Sequence, residues 1–173
     1  MEKKIKNTLF LVVFVLCFTH LSYCQESNIR VEVTLTKKSV HPGENFVIHT
    51  KITNVGTEKQ EFGIWACSRS LNYITDNNDV MPWFSFACNG NIPIGLALLP
   101  GEKFEDEFEL RVAENAKPGS MVFRLGFRHC VTADFLMGTL KSTLFYTCND
   151  KTVFWSDPIT IKILSKVSLP ASK

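Results

Sequence analysis

The sequence predicts an all-β protein, an antiparallel immunoglobulin-like β-sandwich of about seven to nine strands. Three observations point there. Apolar and polar residues alternate along one run after another, Pro-Gly and Asn-x-Gly clusters separate the runs, and no later stretch carries a helical period of useful length. Successive side chains on a strand point to opposite faces, so alternation marks a strand with one face buried and one in water.

The first element is not a strand. A basic head (Lys3, Lys4, Lys6), the apolar run LFLVVFVLCF from Leu9 to Phe18 and a polar stretch from Thr19 to Cys24 form the three parts of a signal peptide. The run falls short of the ~20 residues needed to cross a bilayer. Cys24 raises the question of a lipid anchor. Lipidation wants a small residue before the cysteine, and Tyr23 is bulky, whereas Ser22 and Cys24 suit an ordinary cut before Gln25. The expected organisation is a cleaved leader at 1–24, one domain at 25–165 and a flexible tail at 166–173. The product is secreted or periplasmic, with a lipid-anchored form as runner-up.

The formal charge of +2 belongs to that leader, where three lysines face only Glu2. The neutral remainder offers no electrostatic footprint for nucleic acid or anionic lipid. Membrane contact would require a lipid on Cys24.

The strands follow in order. RVEVTLTKK puts Val31, Val33 and Leu35 on one face. NFVIHTKITN puts Phe46, Ile48 and Ile52 on one face and His49, Lys51 and Thr53 on the other. KFEDEFELRV sets Phe104, Phe108, Leu110 and Val112 against Glu105, Glu107, Glu109 and Arg111. MVFRLGFRH buries Phe123, Leu125 and Phe127, and PITIKIL buries Ile159, Ile161 and Ile163. Turns are expected at His41-Pro42-Gly43-Glu44, Asn54-Val55-Gly56, Leu99-Pro100-Gly101-Glu102 and Lys117-Pro118-Gly119, because proline presets φ and glycine accepts a positive one.

Cys67, Cys88, Cys130 and Cys148 form an even set in a chain expected to be exported, where thiols pair. Four cysteines allow three connectivities. The sequential pairs Cys67–Cys88 and Cys130–Cys148 are favoured, since each closes a loop of about 20 residues worth roughly 3 kcal/mol. The chain has no Asn-x-Ser/Thr glycosylation site, which fits a bacterial exported protein.

The stretches VHPGENFVIHTKITNVG, LLPGEKFEDEFELRV and KPGSMVFRLGF resemble bacterial immunoglobulin-like domains of the cell-adhesion-related (CARDB) type. The shared features are the PGE turn, the Asn-x-Gly end of the second strand, and a second PGE turn before a charged, alternating strand. The resemblance implies a non-catalytic binding or architectural module and supplies no site residues. The two long cysteine-bounded excursions depart from that pattern. The chain is also similar to β-sandwich proteinase inhibitors, which place a tryptophan-bearing loop before a PGE turn.

Little in the chain points to catalysis or a cofactor. His41, His49 and His129 have no short metal-ligand spacing between them. A copper site from His49, Cys130 and Met137 would need a second histidine within CVTADFLM, which has none. His129 and Cys130 are neighbours on a strand and so face opposite ways. TDNNDV, from Thr75 to Val80, lacks the spaced acidic pattern of a calcium loop and reads as a turn. Glu105, Glu107 and Glu109 read as a solvated strand face.

The aromatic residues say more. VMPWFSFAC brings Trp83, Phe84 and Phe86 into the first excursion, and the second holds Phe135, Leu136, Met137, Phe145 and Tyr146. Trp83 and Phe84 either fold back to cap the core or join an exposed binding surface. Trp65 falls out of parity with Phe62 and Ile64, which makes it a candidate for the outer face, and Trp155 is expected in the core. The reading is a non-catalytic binding module that meets a protein or envelope-surface partner through Trp83, Phe84, Phe135 and Met137. One alternative is an inhibitor whose Asp76 to Phe86 segment enters a protease cleft. The other is an enzyme or metalloprotein with an unrecognised site.

Overall fold

The computed structural model describes residues 27–84, 93–128 and 152–165. The leader with Cys24, the tail 166–173, and Phe86, Cys88, His129, Cys130, Phe135, Leu136, Met137, Phe145, Tyr146 and Cys148 lie outside the described residues. Among those described, the chain is an all-β fold of twelve strands and one 3-10 turn, Arg69–Asn72, antiparallel except where β2 and β12 pair in parallel. The strands are β1 (Ile29–Leu35), β2 (Ser39–Val40), β3 (Asn45–Asn54), β4 (Gln60–Trp65), β5 (Tyr73–Thr75) and β6 (Val80–Pro82). They continue with β7 (Pro93–Leu98), β8 (Lys103–Val112), β9 (Gly119–Phe123), β10 (Leu125–Arg128), β11 (Val153–Trp155) and β12 (Ile159–Ile163).

The largest sheet has the order β1-β3-β8-β6. Opposite it lie the sheets β11-β10-β5 and β2-β12-β9 and the pair β4-β7. One apolar cluster joins the layers: Phe46, Ile48 and Leu110 come from the first sheet, and Phe123, Phe127 and Ile161 from the others. All six are at most 1% exposed. There are more strands than the sequence suggests because long runs are split. The run from Gly119 to Arg128 breaks at Arg124, pairing with β12 before the break and with β11 and β5 after it. Phe123, Leu125 and Phe127 stay buried through the break.

The two PGE turns share one construction. Glu44 N–H donates to the His41 carbonyl (3.1 Å), and Glu102 N–H donates to the Leu99 carbonyl (2.9 Å). Gly43 and Gly101 take the positive φ those turns need, 80° and 81°. Each glutamate then reaches back to the first N–H of its own turn, His41 to Glu44 Oε2 at 2.6 Å and Leu99 to Glu102 Oε2 at 2.8 Å. The motif is therefore a self-capped turn. Lys37 bonds Glu44 as well, and this bond, then the one from His41, holds the Glu44 carboxyl below its ordinary range.

Two tryptophans differ from the sequence expectation. Trp65 is 8% exposed, not outward. Beyond it the chain turns through the 3-10 segment, and Asn72 folds back onto β4, accepting the Trp65 N–H at 2.9 Å. Trp155 is half-buried, not core, with the Arg124 guanidinium 5.2 Å from its ring centre. Arg124 is fixed there by Asp76, which accepts its Nε at 2.8 Å and its N–H at 2.6 Å. These bonds from Arg124 lower the Asp76 carboxyl below its usual range.

Candidate functional site

β6 runs beside β8, and Trp83 extends that pairing by donating its N–H to the Glu109 carbonyl (2.8 Å). The Trp83 side chain is carried out to the surface at 37% exposure. Arg111 leaves β8 on the same side and stacks its guanidinium 4.5 Å from the Trp83 ring centre. The Glu114 carboxylate also accepts from Arg111, at 2.8 Å. Met81, across the ladder from Arg111, is 45% exposed. A cation over a partly exposed indole face adds about 0.5–1 kcal/mol and favours one position of the ring.

Trp83 and Phe84 line a cleft of 430 Å³ between the Cys67–Ser70 segment and the Asp106–Glu109 stretch of β8. Phe84 is half-buried. Asp106, Glu107 and Glu109 outnumber Arg69 in the lining, so the cleft is acidic. Cys67 is disulfide-bonded to a cysteine outside the described residues, so the Cys67–Cys88 pairing stays an expectation.

A polar thread runs beneath this cleft. Tyr73 Oη and Thr50 Oγ1 share a hydrogen bond of 3.1 Å, and Thr50 Oγ1 reaches the Asp106 carbonyl at 3.3 Å. Tyr73 is 2% exposed and stacks on Phe108 with ring centres 4.4 Å apart. Burial pushes its hydroxyl far above the ordinary range, so it acts here only as a hydrogen-bonding group. The Asp106 carboxyl is 5% exposed. Its Oδ1 accepts from Arg69 Nη1 (3.3 Å) and from the Glu107 N–H (3.0 Å). Its Oδ2 has no hydrogen-bond partner among the described residues. Burial raises the Asp106 carboxyl above its usual range against the pull of Arg69.

Of the contact residues read from the sequence, the structure places Trp83 and Phe84 together on one cleft, with Phe135 and Met137 outside the described residues. Sequence reasoning missed Thr50 and Asp106. Each interrupts the apolar parity of its strand once, and the two sit directly opposite in the β3–β8 register. Two polar interruptions on facing strands were the available signal. His49 stays on the outer face, 3.1 Å from Glu107. The Asn78–Asp79 stretch is the expected turn. Among the described residues no group of three His, Cys, Asp or Glu side chains is placed to hold a metal ion, and no helix is long and apolar enough to cross a membrane.

No family model and no curated protein matches the chain. Solved structures similar to it include a FixG-related protein from Vibrio parahaemolyticus, at 15% identity and a TM-score of 0.37, covering 79% of this chain and 97% of that one. AvmM, described as catalysing macrocyclization in alchivemycin A biosynthesis, is 12% identical with a TM-score of 0.43, covering 84% of this chain and 93% of that one. A β-glucosidase from Listeria innocua in complex with glucose is 14% identical with a TM-score of 0.33, covering 81% of this chain and 17% of that one. Likeness at this level carries no functional argument.

Proposed function

We propose that this chain is an exported, non-catalytic binding domain of the immunoglobulin-like kind, and that it holds a protein partner through the Trp83 cleft. In this reading residues 1–24 are removed, and Cys67–Cys88 and Cys130–Cys148 close two aromatic-rich excursions. Phe135 and Met137 extend the contact surface. The observation that supports it best is Trp83 itself, an exposed indole braced by Arg111 beside an acidic cleft. Interface hot spots favour such large aromatics, and a pre-positioned ring loses little entropy on binding. The alternative of a protease inhibitor gains no support from the start of its segment, where Asp76 is tied to Arg124.

The test is cross-linking in native envelope extract. The tagged full chain is expected to capture one partner that Trp83→Ala loses and Val122→Ala keeps, since Val122 is exposed elsewhere, on β9. Equal capture by the Trp83 variant would refute the reading.

A further inference from the structure

A second surface lies along the other margin of the molecule. β1 ends its sheet, so among the described residues one of its edges has no neighbouring strand. The direction of its backbone groups follows from the ladder. Thr36 N–H donates to the Val47 carbonyl (3.3 Å) and Val55 N–H to the Asn28 carbonyl (2.8 Å), so the even-numbered residues turn toward β3. Val31, Val33 and Leu35 therefore point their N–H and C=O groups away from β3. The outward groups of Ile29 are already taken by Ser27 Oγ, at 2.8 and 3.2 Å. No hydrogen bond to those of Val31, Val33 and Leu35 occurs among the described residues. Val31 is nevertheless only 4% exposed. Buried backbone polar groups are almost always paired, so this edge calls for a partner.

The edge faces a groove, not open water. Cavities of 870 Å³ and 900 Å³ share Val33, Pro158 and Ile159 and so run together along β1. The far wall is the Trp155–Lys162 stretch, where Thr160 N–H and C=O also look toward the groove, because Lys162 and Leu164 donate on that side. The two ends differ in charge. Near Leu35 the groove is lined by Lys38 and Lys162 and by no acidic residue, and neither lysine makes an ion pair among the described residues.

We propose that this groove receives a single extended segment of a partner polypeptide, which adds antiparallel to β1. Its alternate residues are apolar and face Val33 and Ile159, and its N-terminal end is acidic and lies beside Lys38 and Lys162. Backbone pairing provides the affinity, and the apolar alternation and terminal charge provide the selection. This surface is independent of the Trp83 cleft.

The probe is the peptide Ac-Glu-Glu-Val-Thr-Val-Thr-Val-Thr-NH2 with the full-length chain, followed by amide exchange and calorimetry. Val31 and Val33 amides are expected to exchange fast in the free protein and at least tenfold more slowly with peptide. Val33→Pro removes an outward N–H and trims a side chain packed at the margin of the core; an edge strand tolerates proline, so the fold is expected to persist while affinity falls more than tenfold. The double change Lys38→Glu with Lys162→Glu weakens this peptide several-fold, and Trp83→Ala leaves it unchanged. Three results overturn the proposal: no binding, binding that survives Val33→Pro, or Val31 and Val33 amides already protected in the free chain.

Discussion

Asn72 and Asp106 are both polar side chains shut away from water, and the fold treats them differently. Asn72, 1% exposed, spends its amide fully. Its Oδ1 accepts the Trp65 N–H (2.9 Å), and its Nδ2 donates to the Gly63 carbonyl (3.0 Å) and the Arg128 carbonyl (3.1 Å). It thereby ties the β4-β7 pair to β10 of the neighbouring sheet. Asp106, beside a cleft, keeps one oxygen bonded and, among the described residues, one orphaned. A satisfied buried polar group specifies a structure, whereas a half-satisfied one costs stability. The contrast marks Asn72 as a structural tie and Asp106 as a group retained at some expense.

The contrast is broken most forcefully at Asn72. Asn72→Ala strips partners from one N–H and two C=O groups and is expected to cost about 3 kcal/mol, read as a lower urea midpoint at unchanged slope. A loss below ~1 kcal/mol would mean that water replaces the amide and that the tie is not structural. Thr50→Val comes next, because it leaves the buried Tyr73 hydroxyl unpaired, for about 1–2 kcal/mol. Adding Tyr73→Phe is expected to recover part of that loss, since removing both partners leaves nothing unsatisfied. A double variant no better than Thr50→Val alone would show that the thread is not pairwise.

The sequence shows one side of this contrast more clearly than the other. The alternating strands and the self-capped PGE turns are legible because their causes are local: a two-residue period, a preset proline φ, a glycine in the left-handed region and a glutamate two residues past the proline. Trp83 is legible as a surface candidate by its apolar company, but its bracing by Arg111 depends on the β6–β8 register. Trp65 and Trp155 were misplaced for the same kind of reason. The backbone N–H of Trp65 is taken by Asn72, later in the chain, and Arg124, which stacks on Trp155, is held by Asp76, far away in sequence. Thr50 and Asp106 could be paired only once β3 and β8 were aligned.

The smallest expected effect is also the sharpest test of Asp106, because it has a sign that reverses the usual acid behaviour. Asp76 and Glu44 have lowered carboxyls, so their contribution is present above the unfolded range and is lost as pH falls. Asp106 is raised by burial, so its contribution is full below the unfolded carboxyl pKa of about 3.9 and drains away as pH rises through the folded value. Asp106→Asn removes the charge that burial penalises while its carbonyl still accepts the Glu107 N–H. The variant is therefore expected to gain on the wild type as pH is raised from about 3 to 7. Asp76 and Glu44, present in both proteins, cancel in that difference. Paired urea titrations at several pH values measure it. A gap that instead widens toward acid would show that the Arg69 ion pair outweighs burial, and Asp106 would then be a second structural tie like Asn72.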